Sequence, residues 1–221
     1  MLNLSHIDKA YGSHPVLRDL NLQVPAGSCF CLAGANSCGK TTLLSIAVGL
    51  QKPDRGQVTW SGRYSYVPQH NALAEDLTVR DNLRLWYAAC GRDPRQMFSS
   101  NSAEALFGLS PHKGKSVSSL SGGMKKRLSI AAALLAEPDC LVMDEPFTAL
   151  DLVAKREISS LLRKIQQRGT TILLASHDPH EIASLCDHIA VMRDGKIALC
   201  QQLKDADAEQ ISRLILSLAA R

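Results

Sequence analysis

The sequence predicts an α/β protein with a mainly parallel sheet, an N-terminal antiparallel β subdomain and a helical insertion subdomain. Short apolar runs alternate with segments of helical periodicity, and a glycine-containing loop stands between one such run and a helix. Alternating strands and helices are typical of layered α/β folds with a parallel sheet. The 221 residues are sufficient for one domain with a sizeable core.

The N-terminal elements follow from alternation and from turn residues. Apolar and polar residues alternate in LNLSHID at 2–8 and in LNLQV at 20–24, which predicts half-buried strands. Pro-Ala-Gly at 25–27 predicts a turn. The apolar run SCFCLAG at 28–34 predicts a buried strand, and KTTLLSIAVGL at 40–50 predicts a helix. QVTW and YSYV predict two further strands, joined by a turn at Ser61-Gly62.

The remaining elements alternate in the same way. Residues 76–136 have a mainly helical pattern that is broken at Pro94 and Pro111, which predicts a helical subdomain. This subdomain belongs to a single predicted domain, 1–221, whose nucleotide-binding core is 1–75 and 137–221. The elements predicted after it are CLVMDE at 140–145, the helix at 153–168 ended by Gly169, TTILLAS at 170–176, the pair HIAVM and KIALC around Asp194-Gly195, and a tail helix with Ile211, Leu214, Ile215 and Leu218 on one face.

Composition and charge exclude several classes of protein. The content of 45% hydrophobic and 21% charged residues is typical of a soluble globular protein, and the net charge is only +4. The densest basic run is KKR at 125–127, and the few aromatics do not interleave with basic residues, so no nucleic-acid partner is expected.

Cysteine usage and hydropathy indicate a location. The seven cysteines are an odd number, scattered along the chain, which is typical of a reduced, cytoplasmic compartment. None of them has zinc-ligand spacing. The N-terminus does not resemble a signal peptide, and no apolar run approaches the ~18 residues that span a bilayer. If the protein works at a membrane, we expect a partner to supply the span.

The stretch GANSCGKTT at 34–42 carries the first chemical signal. It fits the pattern G-x-x-x-x-G-K-[ST], preceded by a predicted strand and followed by a predicted helix, as that pattern requires. Backbone N–H groups at such a helix start bind phosphates. Lys40 is predicted to reach the β- and γ-phosphates and Thr41 to ligate Mg²⁺. The residues predicted to contact the nucleotide here are Gly34, Ala35, Asn36, Ser37, Cys38, Gly39, Lys40, Thr41 and Thr42.

Two residues depart from the usual loop. Ser37 stands where glycine is common, and a positive φ there would impose strain of about 1 kcal/mol, so we expect weakened nucleotide affinity at most. Cys38 has two interpretations. It is either a small residue that fits, or a thiol whose pKa is lowered by the helix N-terminus and which is therefore sensitive to oxidation.

Two further motifs complete the chemistry. Asp144 and Glu145 end a predicted buried strand, where the first acid can hold the magnesium shell and the second can activate water. The alternative is a solvated acidic turn. LSGGM at 120–124 predicts a capped helix start whose two glycines allow another molecule to approach closely; the alternative is an ordinary surface helix.

The ordered set GANSCGKT, YVPQ, LSGGM, VMDEP, ALD and SH resembles the ATP-binding cassette of ABC transporters and covers nearly the whole chain. The resemblance implies a P-loop NTPase fold, ATP and Mg²⁺ as ligands, and ATP hydrolysis. The resemblance also implies residue roles. Tyr11 would stack on adenine, Gln69 would contact Mg²⁺ and the membrane subunit, and Asp144 would hold the Mg²⁺ shell. Glu145 would be the catalytic glutamate, His177 would contact the γ-phosphate, and Asp151 would couple the two sites; the segment that closes on the γ-phosphate of the opposite monomer would be Ser121, Gly122 and Gly123.

The resemblance also implies partners. Such cassettes form head-to-tail dimers, as homodimers or heterodimers, in which each ATP meets Lys40 of one chain and Ser121 of the other. They power a separate transmembrane permease subunit, so the chain is expected on the inner face of the cell membrane. Residues 70–95 are expected to form the groove for the permease, lined by Leu73, Leu77, Leu83 and Trp86 unless these are core residues.

The subtype cues are mixed. Met124 with the following KKRL, and DLTVRDNLRLWYAACG at 76–91, resemble ABC-2-type exporters, whereas EPFTALD is closer to import cassettes. The short link from Gly62 to Tyr64 resembles some metal-ion importers. Export is expected, with a metal-ion or other small-solute importer as the alternative. A soluble non-transport ABC ATPase is disfavoured by the single cassette, and a non-hydrolysing regulator by Glu145.

Overall fold

The nine strands of the computed structural model form two sheets, and the description below covers residues 1–204 and 206–219. The strands are β1 Leu2–Tyr11, β2 His14–Val24, β3 Cys29–Ala33, β4 Arg55–Trp60, β5 Tyr64–Val67, β6 Cys140–Asp144, β7 Thr171–Ser176, β8 His188–Arg193 and β9 Lys196–Gln202. The α-helices are α1 Lys40–Ala47, α2 Val79–Ala89, α3 Ala103–Leu106, α4 Gly122–Leu134, α5 Leu152–Gln167, α6 Pro179–Leu185 and α7 Ala208–Ala219.

The central sheet has the order β5-β6-β7-β3-β8-β9 and is parallel except for β9, which pairs antiparallel with β8. Strands β3, β6 and β7 are buried along their whole length, as expected for a parallel sheet covered on both faces. Ala33 pairs with Ser176, and Asp144 pairs with Ala175. The carboxyl ends of these three strands therefore meet at one edge of the sheet.

The N-terminal strands form the predicted antiparallel layer, with the order β2-β1-β4. Its buried leucines, together with Phe30, Leu32 and Leu43, form one of two apolar clusters. The two strands predicted around Ser61-Gly62 belong to different sheets, β4 to this layer and β5 to the central sheet. The turn at 61–62 thus passes the chain from one layer to the other.

The segment between β5 and β6 is helical, as predicted. Pro94 and Pro111 each lie in a short 3₁₀ helix, at Pro94–Gln96 and Ser110–His112, and so both interrupt the α-helical pattern. Residues of α2 and α4 share the second apolar cluster with Ile158 of α5. The boundaries 76–136 of a separate subdomain stay a prediction.

The tail helix α7 packs on the core with the predicted face. Ile211 is completely buried, and Leu214, Ile215 and Leu218 are partly buried against the same cluster. Across the described residues, no helix combines the length and the apolar character needed to cross a membrane.

Candidate nucleotide-binding site

The loop at 34–42 joins β3 to α1 through three residues with positive φ, namely Gly34 (153°), Ser37 (63°) and Gly39 (106°). A Cβ on Gly34 would lie 2.7 Å from the carbonyl oxygen of Met192, so the loop admits no side chain there. Ser37 adopts the left-handed conformation that favours glycine, which meets the condition on which its predicted strain depended.

Lys40 begins α1 and points back into the loop. Its side chain is only 5% exposed, and Nζ donates to the carbonyl oxygens of Gly34 (2.9 Å) and Ala35 (3.0 Å). Nζ also lies 3.7 Å from Oε1 of Glu145. A buried ammonium held by carbonyls at a helix N-terminus can exchange them for phosphate oxygens, because these carry more negative charge.

Asp144 ends β6 beside the loop and is buried, with 1% of its surface exposed. Burial raises the pKa of this carboxyl, and a hydrogen bond with Thr41 lowers it. Among the described residues, none bonds to Asp144 Oδ1. An orphaned carboxylate oxygen next to a threonine hydroxyl fits a hard divalent cation such as Mg²⁺, which prefers oxygen ligands.

Glu145 follows Asp144 and turns toward the cleft with a φ of 43°. Its Oε2 accepts a hydrogen bond from Thr148 Oγ1 (3.0 Å), and its Oε1 lies 3.3 Å from Nδ1 of His177. The side chain of His177 is 52% exposed, at the end of β7. A carboxylate thus stands between the loop lysine and an accessible imidazole.

These groups surround one cleft of about 520 Å³. Its lining residues are Val16, Asn36, Ser37, Gly39, Lys40, Thr41, Thr42, Gln69, Glu145, Thr148 and His177. The structure therefore brings nine of the eighteen site residues predicted from the sequence to the wall of this cleft. Val16 and Thr148 were missed; Thr148, three residues after Glu145, could have been found as a local hydrogen-bond partner, whereas no sequence signal marks Val16.

Several predicted site residues do not line this cleft. Tyr11 lies at the end of β1, 47% exposed, and its hydroxyl donates to Gln51 Oε1 (2.7 Å). Gly34, Ala35 and Cys38 face a neighbouring cavity together with residues of α7. Burial raises the pKa of the Cys38 thiol. The lowered pKa considered for Cys38 is therefore wrong, because desolvation outweighs the nearby Lys40 charge.

The segment at 121–124 forms the N-terminus of α4 away from the cleft lining. Ser121 caps the helix by accepting from the Met124 N–H (3.3 Å). A Cβ on Gly123 would lie 2.8 Å from Cβ of Ala154, so the packing of α5 of the same chain favours glycine at this position. Asp151 caps α5 by accepting from the Ala154 N–H (2.8 Å).

Lys126 of α4 lies behind the cleft and contacts the backbone of Gln69, and the sequence did not single it out. It is 3% exposed, and its Nζ donates to the carbonyl oxygens of Pro68 (3.2 Å) and Gln69 (3.1 Å). Burial lowers its pKa to about 8, and the charge of Asp144 acts against that shift. In the sequence Lys126 is one of three consecutive basic residues, and only the fold shows that it is buried while Lys125 pairs with Glu75 at the surface.

A second lysine supports the loop that carries His177. Lys155 Nζ lies 2.7 Å from Glu181 Oε1 and 3.3 Å from Asp178 Oδ2. Glu181 raises the pKa of Lys155 by its hydrogen bond, and its other oxygen accepts from Ser176 Oγ (2.6 Å). The helix that Asp151 caps is thereby tied to the residues on both sides of His177.

A smaller groove of about 190 Å³ lies on the other side of residues 68–69. Leu73 and Trp86 line it with Pro68 and small residues of α4. Leu83, which was a candidate for this groove, is completely buried in the core, because it lies on the inner face of α2.

A phosphate loop, two strand-end carboxylates and a histidine around one cleft define a P-loop nucleotide hydrolase. The family described as "ABC transporter" matches residues 17–148, more than half of the sequence. The chain belongs to the ABC transporter family, as the ATP-binding subunit, and cassettes of this family hydrolyse ATP to power transport.

Curated relatives and solved structures agree with this assignment. The chain is 36% identical to Nod factor export ATP-binding protein I of Rhizobium etli, over 88% of this chain and 66% of that protein. The Burkholderia orbicola protein of the same name is 36% identical, over 88% and 68%. The chain thus spans about two thirds of the length of these relatives.

Two solved structures illustrate the similarity in fold. An ATP-binding subunit of an ABC transporter superposes with a TM-score of 0.85 at 25% identity, covering 98% of this chain and 99% of that one. An inward-facing putative metal-chelate type ABC transporter gives 0.80 at 21% identity, covering 98% and 88%. The predicted fold class is confirmed.

Proposed function

We propose that the cleft around Lys40 and Glu145 is the ATP hydrolysis site. The observation that carries the proposal is the position of Glu145, which faces the cleft between the Lys40 ammonium at 3.7 Å and the His177 imidazole at 3.3 Å. A carboxylate held there can orient a water molecule toward a phosphate bound on the loop.

In this proposal the triphosphate replaces the carbonyls of Gly34 and Ala35 as the partner of Lys40. Release of Lys40 toward the phosphates removes its attraction from Glu145, which then serves as general base and accepts the proton of the attacking water. His177, already within reach of Glu145, donates a hydrogen bond to the γ-phosphate. The N–H groups at the start of α1 stabilise the charge that develops on the transferred group.

Mg²⁺ is the proposed cofactor. When bound, it neutralises charge on the β- and γ-phosphates. Thr41, Asp144 and Gln69 are the proposed residues of its coordination shell. The orphaned Oδ1 of buried Asp144 supports the assignment, because a cation gives that oxygen the partner it lacks.

A second cassette is the proposed partner at the open side of the cleft. Ser121, Gly122, Gly123 and Asp151 do not line the cleft of their own chain, so they are available to the ATP held by another copy or by a homologous cassette. Leu152 and Val153, next to Asp151, are 65% and 66% exposed, and apolar residues exposed at this level support an interface. Tyr11 is the proposed partner of the adenine ring.

The proposed membrane partner is a permease whose cytoplasmic segment occupies the groove at Leu73 and Trp86. Trp86 of the groove is 38% exposed, and its chain neighbour Leu85 is 57% exposed, which leaves apolar surface for a partner helix. Leu77, another predicted lining residue, is 36% exposed but does not line the groove. Docking there places the chain at the inner face of the cell membrane. We propose export as the direction, because the relatives are named as export proteins.

Two measurements test this proposal. Glu145→Gln is expected to lower the ATPase rate by about 100-fold or more while ATP still binds, because only the base is lost. An unchanged rate would exclude Glu145 as the base. Mass spectrometry of the complex purified from gently solubilised membranes is expected to identify a polytopic subunit. Recovery of ribosomes or DNA-repair factors instead would contradict the transport assignment.

A further inference from the structure

The dipeptide Pro68-Gln69 separates two cavities. Gln69 lines the ATP cleft with Lys40 and Glu145, whereas Pro68 lines the groove with Trp86. Each cavity is therefore bounded by one residue of the same short segment. A side chain that holds the backbone of Pro68 and Gln69 therefore positions one wall residue of each cavity.

The Lys126 ammonium makes that connection. It donates to both consecutive carbonyls, at 3.2 Å to Pro68 and 3.1 Å to Gln69, from the second turn of α4. Helix α4 also supplies Ser129 to the groove and begins next to Ser121. A single side chain thus joins the helix that starts at the proposed dimer surface to the segment between the cleft and the groove.

Burial of Lys126 is costly for a purely structural role. The residue is 3% exposed, and within the described part of the chain no carboxylate lies within ion-pair distance of it. Lysine is rarely buried without an ionic partner, and an apolar side chain of similar length would fill the same space without desolvating a charge. The carbonyls of Pro68 and Gln69 are the hydrogen-bond partners that the described residues give this ammonium, so holding them is the direct contact that offsets its burial.

We propose that Lys126 is a positioning residue, which holds the backbone of residues 68–69 so that Gln69 faces the ATP cleft and so that the state of the cleft is transmitted to the groove. This inference rests on the proposed function, since it takes the cleft as the ATP site and the groove as the docking site. It adds the side chain through which the two communicate.

Fluorescence of Trp86 reports the groove directly. The chain has two tryptophans, and Trp60 lies apart from the groove, stacked on Tyr64 at a ring distance of 4.6 Å. In a Trp60→Phe background, the change of Trp86 emission on adding ATP and Mg²⁺ measures coupling between cleft and groove. The matched variants are Lys126→Met and Lys125→Met, since Lys125 bonds Glu75 at the surface instead.

We expect Lys126→Met to reduce the fluorescence change at least about two-fold and to lower kcat by about 10- to 100-fold, with KM for ATP changed by less than about three-fold. Lys125→Met should match the background, and Lys126→Arg should restore much of the response because it keeps a donor. If Lys126→Met fails to fold, Lys126→Leu, which also removes the donor, takes its place with the same expected result.

Three results would overturn the inference. One is an unchanged fluorescence response in the Lys126 variant. Another is a lowered Tm with unchanged kinetics and fluorescence, which marks a structural role only. The third is a background protein whose Trp86 does not respond although ATP binds. Failure of the proposed function is distinguishable, because the background protein itself would then neither bind nor hydrolyse ATP.

Discussion

The contact between Gly123 and Ala154 gives a quantitative test of how α4 and α5 pack. A Cβ on Gly123 would stand 2.8 Å from Cβ of Ala154, closer than two carbon atoms can pack. Overpacking of this kind costs about 1–3 kcal/mol, of which the better helix propensity of alanine returns up to about 1 kcal/mol. We expect Gly123→Ala to lose about 1 kcal/mol of unfolding free energy, or about 2–4 °C in Tm for a chain of this size.

A double-mutant cycle separates the contact from helix propensity. Ala154→Gly removes the opposing methyl group, so the double variant moves one methyl group from α5 to α4 without the clash. Propensity changes cancel in the cycle, and we expect a favourable coupling energy of about 1–3 kcal/mol. Gly122→Ala is the matched control, because a Cβ there meets its nearest atoms at 3.7 Å, an ordinary contact.

Urea unfolding of the four proteins and the control is the assay. A coupling energy below about 0.5 kcal/mol, or a Gly122→Ala variant as destabilised as Gly123→Ala, would refute the packing argument. The ATPase rate of the double variant then carries a second result. If Gly123→Ala also lowers the ATPase rate, a double variant that regains both stability and ATPase rate assigns Gly123 to intrachain packing. A double variant that regains stability but not the ATPase rate assigns Gly123 to contact with the partner's nucleotide.

Two further predictions concern the cleft. Because burial raises the pKa of Asp144, the folded chain binds its proton more tightly than the unfolded chain, and stability falls as pH rises through that raised pKa. We therefore expect Asp144→Asn to abolish hydrolysis and yet to raise Tm at pH 7. The gain in Tm should shrink as the pH falls toward 3.8, the ordinary pKa of this carboxyl. A variant that is less stable than wild type at pH 7 would contradict this expectation. Ser37→Gly relieves a φ of 63° and should leave turnover within several-fold or raise it, whereas an inactive wild type restored by this change would show that Ser37 disables the loop.

Local patterns were sufficient for much of the fold and the site. The phosphate loop, the acids after β6 and the histidine after β7 each follow a recognisable apolar run, and parallel strands end at one edge, so their convergence could be predicted from order alone. The helical insertion with its breaks at Pro94 and Pro111 and the apolar face of α7 were likewise predictable from periodicity.

The remaining features depend on contacts between distant segments. The separation of β4 and β5 into two sheets cannot be read from a turn at Ser61-Gly62, because a hairpin has the same local signature. The burial of Lys126 and Leu83 depends on which face of α4 or α2 meets the core. The raised pKa of Cys38 has the same cause, since the sequence shows the helix N-terminus but not the atoms that desolvate the thiol.

The most direct test of the central claim is a structure of Glu145→Gln with ATP and Mg²⁺ bound. We predict that Lys40 leaves the carbonyls of Gly34 and Ala35 for the β- and γ-phosphates, and that Oδ1 of Asp144 gains a partner in the Mg²⁺ shell. A nucleotide bound elsewhere, with Lys40 still on those carbonyls and Oδ1 still unpaired, would contradict the assignment of this cleft as the ATP site.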